Sequence, residues 1–230
     1  QNNNTKVADS GAVPAGGNAA GGIVVTSPTT LGERTVENID VTALEVPAQL
    51  PATPEPRDLT VGKKGEPVNI TMYADVNCVH CADFEATYGP QLNEWLASGD
   101  VSIEYRTVGY LDGGSPTNFS SRGANALACV ANDNPAAYMP FVTAIWGHYE
   151  QGEMKNAQLS EMAIAAGASK KVTECIDEGT FRPFVQYTTD VAKYDGVSGT
   201  PTLVVQGKVL DLAKDDFPTV VNAAIEANKK

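Results

Sequence analysis

Basic residues are scarce in this 230-residue chain: 16 Lys and Arg stand against 28 Asp and Glu, for a formal net charge of -12. Sequence-independent binding to nucleic acid needs a basic footprint, and an anionic membrane surface would repel such a chain, so neither partner is expected. Histidine is rarer still, with only His80 and His148. No run of about 18 apolar residues occurs, the length a spanning helix requires. Residues 1–57 contain no Phe, Tyr or Trp and are dominated by Gly, Ala, Pro, Asn and Thr, as in Pro51-Ala52-Thr53-Pro54-Glu55-Pro56. That stretch reads as a tether, either flexible or docked through short apolar pieces such as Ile23-Val24-Val25 and Val41-Thr42-Ala43-Leu44-Glu45-Val46. The chain also lacks an initiator Met, which suggests a trimmed product whose export signal or anchor has been left off.

What remains is enough for a packed core, with 42% apolar residues. Leu59-Thr60-Val61 and Val68-Asn69-Ile70-Thr71-Met72-Tyr73 alternate with period two and read as strands. Phe84, Tyr88, Leu92, Trp95 and Leu96 recur at helical spacing, Pro90 is expected to kink or divide that helix, and Gly99-Asp100 stops it. A strand over 101–108 follows. From Asn118 to about Tyr194 the pattern is helical, broken by Asn134-Pro135, Gly152, Gly167 and Gly179, and predicts four or five helices. Strand character returns over 199–205, turns at Gln206-Gly207-Lys208 and pairs back through Val209-Leu210, and a last helix covers 217–227. The order describes an α/β sheet domain in two parts, 58–116 and 195–230, interrupted by helices over 117–194.

Four cysteines are present, and two are three positions apart in Cys78-Val79-His80-Cys81. At the junction of a strand and a helix, the first sulfur of such a pair sits among unpaired backbone amides at the positive end of the macrodipole. Cys78 is therefore the expected attacking thiolate, and Cys81, one turn on, the expected resolving thiol. An imidazolium at His80 would favour the thiolate further, and a stabilised reduced form makes the disulfide a stronger oxidant. Half of a zinc site, a purely structural bridge and an ordinary exposed His80 are the competing readings. Against zinc, Cys129, Cys175 and His148 are isolated and supply no second pair of ligands. Cys129 and Cys175 each fall on an apolar helical face, either as a bridge or as two buried free thiols. Thr200-Pro201, opening a strand after Ser198-Gly199, suits a cis peptide that would offer backbone groups to an extended substrate, or a trans proline at a strand start.

These residues resemble the DsbA family of thioredoxin-fold oxidoreductases, in particular secreted actinobacterial disulfide-forming members. The resemblance is carried by Tyr73-Ala74-Asp75-Val76-Asn77-Cys78-Val79-His80-Cys81, Leu111-Asp112, Ser121-Arg122-Gly123-Ala124-Asn125-Ala126 and Gly199-Thr200-Pro201-Thr202. It runs from about Leu59 to the C-terminus and leaves residues 1 to 57 uncovered. It implies a thioredoxin fold with an inserted α-helical domain, Cys78 as nucleophile, Cys81 as resolving cysteine, Val79 and His80 as the redox-tuning dipeptide and Thr200-Pro201 as a cis-proline loop. It also implies a structural disulfide between Cys129 and Cys175. The function it implies is insertion of disulfides into unfolded secreted proteins, with no cofactor beyond the Cys78-Cys81 disulfide and re-oxidation by a membrane protein of the vitamin K epoxide reductase or DsbB type. A monomer in an extracytoplasmic location is expected, free or anchored through an N-terminal segment absent from this chain. Two departures stand out: Val79 replaces the proline of many strong oxidases, and Met72 stands where some members carry a buried acid, leaving Asp75 as the nearest acidic residue. A disulfide isomerase or reductase, and a non-redox peptide-binding module, are the alternative functions.

Overall fold

The aromatic-free N-terminal segment contributes the first element of the sheet, β1 (Ile23–Val25), in a computed structural model that describes residues 6–44 and 53–229. Then follow β2 (Val68–Ala74), α1 (Val79–Ser98), β3 (Val101–Thr107), five helices, β4 (Thr202–Val205), β5 (Lys208–Val209) and α7 (Phe217–Asn228). The five helices are α2 (Phe119–Asp133), α3 (Tyr138–Gly147), α4 (Asn156–Ala166), α5 (Val172–Glu178) and α6 (Arg182–Tyr194). The strands form one mixed sheet in the order β1-β3-β2-β4-β5. β2 and β3 are parallel, as a strand-helix-strand crossover requires, and the other neighbours pair antiparallel. Among the described residues, no helix is long and apolar enough to cross a membrane.

Strand β2 is buried at all seven positions, so its alternation separates two cores rather than a core from solvent. Ile70, Met72 and Ala74 belong to the main core with Phe84, Leu92 and Leu96 of α1. Tyr73 belongs to a smaller one with Val108, Ala192, Val197 and Val204. Asn69 and Thr71, also buried, satisfy each other: Thr71 Oγ1 donates to Asn69 Oδ1 at 3.0 Å, and Asn69 Nδ2 donates to Ser102 at 3.0 Å.

Three expectations from periodicity change. Leu59-Thr60-Val61 forms no strand, and long-range side chains take the backbone groups on either side of it. Arg106 Nη1 and Nη2 donate to the carbonyls of Arg57 and Asp58 at 2.9 and 3.0 Å, and Gln206 accepts from Gly62 N at 2.9 Å. Pro90 does not divide α1. The preceding Gly89 lacks the Cβ that a proline ring would strike. The turn between β4 and β5 is the two-residue Gln206-Gly207, both at positive φ of 51° and 79°, so Lys208 already pairs with Val205.

The N-terminal segment lies against the body. β1 pairs with β3 through Ile23, Val24 and Val25 opposite Tyr105, Glu104 and Ile103. Tyr187 and Thr188 of α6 donate to the carbonyls of Ala19 and Gly21, both at 2.9 Å. Val13, Ile23, Val25 and Ile39 join the main core, and hydrogen bonds and glycine-rich turns complete the hold on this arm where aromatic side chains are lacking. In the apolar piece 41–46, Glu45 and Val46 lie outside the described residues, as do Pro51 and Ala52.

Candidate active site

Cys78 is the N-cap of α1, with extended backbone (φ -99°, ψ 123°), and its own side chain caps nothing. The helix therefore opens with its first amides unclaimed by a side chain and directed at the cysteine pair. Cys78 and Cys81 are buried thiols. The Cys81 thiol hydrogen-bonds Cys78 and, with Thr200 and the backbone amides of Cys81 and His80, draws the Cys78 pKa down to about 5 against the opposing effect of burial. The same hydrogen bond, then burial, pushes Cys81 strongly upward. One sulfur is prepared to attack and the other to hold its proton.

Thr200-Pro201 is a cis peptide, and the Cys78 thiol donates to the Thr200 carbonyl at 3.5 Å. The structure thus brings Cys78, Cys81 and Thr200-Pro201 together. Val79 and His80 are exposed on the first turn of α1. His80 offers Cys78 its backbone amide, while its side chain lines a groove shared with Phe84, Tyr88, Pro201 and Phe217. A second groove, on which Cys78 itself opens, is lined by Tyr110, Leu111 and 196–200. Leu111 is exposed there, and Tyr110 is fixed by donation of its hydroxyl to the Val197 carbonyl at 2.5 Å.

Beneath the cysteines lies a carboxylate for which spacing alone gave no role. Asp75 is fully buried. Its carboxylate accepts from Ser120 Oγ at 2.6 Å, Asn77 N at 2.8 Å and Leu111 N at 3.0 Å. Its carbonyl accepts from Cys78 N at 3.2 Å and the Trp146 indole at 3.0 Å. Burial raises the Asp75 pKa above the ordinary carboxylate range, the three hydrogen bonds oppose that rise, and the charge of Cys78 adds to it. A thiolate at Cys78 and a carboxylate at Asp75 therefore disfavour one another. Close packing of α2 holds the network shut: a Cβ on Gly123 would lie 2.4 Å from Val76 Cγ2.

Glu85, one turn beyond Cys81, is also buried, against Tyr105, whose hydroxyl donates to it at 3.4 Å. Burial lifts its pKa to about 7 from the ordinary 4.5. The raised value means that the folded chain binds this proton more tightly than the unfolded one. Stability is therefore expected to fall as pH rises from 4.5 through 7, by about 3 kcal/mol in total. Urea unfolding of the oxidised protein at pH 5 and pH 8 measures this, and Glu85→Gln is expected to flatten the difference and to be the more stable chain at pH 8.

Cys129 and Cys175 stand apart from this site. They form a disulfide that joins α2 to α5 across a sequence separation of 46. No group of three or more His, Cys, Asp or Glu able to hold a metal occurs among the described residues.

A family model described as thioredoxin matches residues 55–223. A solved structure of reduced disulfide bond oxidoreductase (DsbG) from Mycobacterium tuberculosis is 31% identical, with a TM-score of 0.61, covering 70% of this chain and 77% of that one. The MdbA thiol-disulfide oxidoreductase of Actinomyces oris shares the fold at 17% identity and a TM-score of 0.68, over 99% of both chains, so the likeness of fold extends over the N-terminal arm. A curated relative, the serine/threonine-protein kinase PknE of Mycobacterium tuberculosis, is 27% identical over 153 residues, and the match spans 61% of this chain but 27% of the kinase. The fold is the thioredoxin fold expected from the sequence, with helices inserted between β3 and β4. With a matching family model over most of its length, the chain belongs to the thioredoxin family, among the DsbA-like thiol-disulfide oxidoreductases.

Proposed function

We propose that this chain is an extracytoplasmic oxidase that passes the Cys78-Cys81 disulfide to unfolded secreted proteins. The observation that carries the reading is the opposite tuning of the two sulfurs, Cys78 down and Cys81 up, at the N-terminus of α1 beside a cis-proline loop. A substrate thiolate attacks Cys78 of the oxidised protein, forming a mixed disulfide and releasing the Cys81 thiolate, which takes up a proton. A second substrate thiolate then attacks its partner sulfur in the mixed disulfide and expels Cys78 as the low-pKa leaving group. The substrate loses two electrons and two protons, one proton going to Cys81 and the other to solvent, and the pair is left reduced as the Cys81 thiol and the Cys78 thiolate. A membrane protein of the vitamin K epoxide reductase or DsbB type is the proposed oxidant that restores it.

Val79 and His80 tune the pair, and Thr200-Pro201 holds the substrate backbone beside Cys78. The Cys129-Cys175 bridge supports an oxidising compartment. Residues 58–116 and 195–230 act as the two parts of the redox domain, 117–194 as the helical domain inserted in it, and 1–57 as an N-terminal tether. Incubation of reduced ribonuclease with a stoichiometric amount of the oxidised protein tests the activity: recovery of ribonuclease activity is expected, and failure to oxidise it would sink the proposal.

A further inference from the structure

A cavity of about 590 Å³, lined by none of the residues around the cysteines, opens between the N-terminal arm and the start of α6. Residues 7–11 and 38–42 form one wall, and Ser121 of α2 with Arg182, Pro183 and Gln186 of α6 form the other. Arg182 is 9% exposed, and its Nη1 is buried with no hydrogen-bond partner among the described residues. Asp112 attracts it only at longer range, because that carboxylate already accepts from the backbone and hydroxyl of Ser121.

A second buried guanidinium, Arg122, raises the local positive potential. It is bound to Thr117, Asn156 and the Met154 carbonyl, none of them an acid. Burial lowers the pKa of both arginines; at Arg122 the charge of Glu153 opposes that fall and the charge of Arg182 adds to it. Arg182 is also the first residue of the 13-residue α6, whose first turn carries no acidic side chain, so the macrodipole acts in the same direction, while the Arg182 amide is bonded to the Gly179 carbonyl and Pro183 has no amide to offer. In a chain of net charge -12, these are two buried guanidiniums with no carboxylate hydrogen-bonded to either among the described residues, Asp112 and Glu153 acting on them only at longer range.

The rest of the wall narrows the anion. Asp9 and Asp40 line the cavity and are exposed, and they repel a multiply charged ligand such as phosphate. The planar guanidinium fork matches a carboxylate, and the volume leaves room for an organic body behind it. The geometry points to a binding site for a single carboxylate, carried by a small organic acid or by a peptide C-terminus, with Arg182 as its partner.

Calorimetric titration in a carboxylate-free buffer tests this, with acetate, N-acetyl-dialanine, its C-terminal amide and inorganic phosphate as probes. N-acetyl-dialanine is expected to bind at one saturable site, about ten- to a hundredfold more tightly than its amide. Acetate binding as tightly as the peptide assigns the site to small acids; tighter peptide binding assigns it to C-termini. Arg182→Met is expected to abolish the preference for the acid while melting no lower than wild type, since it removes an unpaired buried charge at similar volume. If that variant fails to fold, the acid and amide pair on the wild-type protein still decides. Equal affinity for acid and amide, no saturable binding of either acid, a preference for phosphate, or unaltered binding by Arg182→Met would overturn the proposal.

Discussion

Replacing Cys78 with serine is expected to lower the rate of disulfide transfer by at least about a thousandfold, since loss of a nucleophile leaves only residual binding effects. Replacing Cys81 gives a different outcome. Cys81→Ser retains the attacking thiolate but cannot resolve, so with a disulfide-containing peptide it is expected to accumulate a mixed disulfide visible by intact mass. A third variant, Cys81→Ala, separates the origins of the low Cys78 pKa. Alkylation of Cys78 by iodoacetamide should follow the thiolate, with a midpoint near pH 5 in the reduced wild type, because the lowered value places the anion above that pH. In Cys81→Ala the midpoint should move upward, since the Cys81 hydrogen bond is the largest contribution that lowers it. A midpoint unmoved by Cys81→Ala would assign the tuning to Thr200 and the backbone amides of the first turn of α1.

Removing the second disulfide is expected to be the largest single loss of stability. The Cys129-Cys175 bridge closes a loop with a separation of 46 residues, for which the loop-entropy relation gives about 4 kcal/mol. It ties α5 to α2, whose Ser120 and Gly123 pack on the loop before Cys78. Cys129→Ala with Cys175→Ala should therefore lower the urea midpoint substantially. The low Cys78 midpoint should survive in whatever fraction remains folded, because the bridge touches neither Cys78 nor Thr200. Equal midpoints for wild type and variant would show that the unfolded chain is restrained by other means.

The residues that do the proposed redox chemistry were legible because their reasons are local. A strand ending at Ala74, a Cys-x-x-Cys at the next helix start and a proline opening β4 each announce themselves within a few positions. Other features depend on partners far along the chain. Asp75 reads as a loop residue until Ser120 and Trp146, 45 and 71 positions away, arrive to bury and bond it. Glu85 sits in a helix where an acid is ordinary, and only Tyr105 and the neighbouring burial reveal its raised pKa. β1 is three residues long, too short to show an alternation, and pairing with β3 is what makes it a strand. Leu59-Thr60-Val61 fails for the converse reason, since its alternation is real but Arg106 and Gln206 take the groups beside it.

His80 shows the same limit at close range. Charge reasoning directed attention to its imidazole, whereas the structure has the backbone amide acting on Cys78 and the ring exposed in the groove beside Pro201. The oxidising strength proposed here thus rests on the helix start and on Cys81 more than on the dipeptide between the cysteines.

The equilibrium potential of the Cys78-Cys81 pair against glutathione tests that proposal most directly. A thiolate stabilised as strongly as at Cys78 favours the reduced form, so the expected potential lies well above the thioredoxin value of about -270 mV, towards the -120 mV of a strong oxidant. A value at or below about -270 mV would make the chain a reductase and contradict the proposed oxidase function.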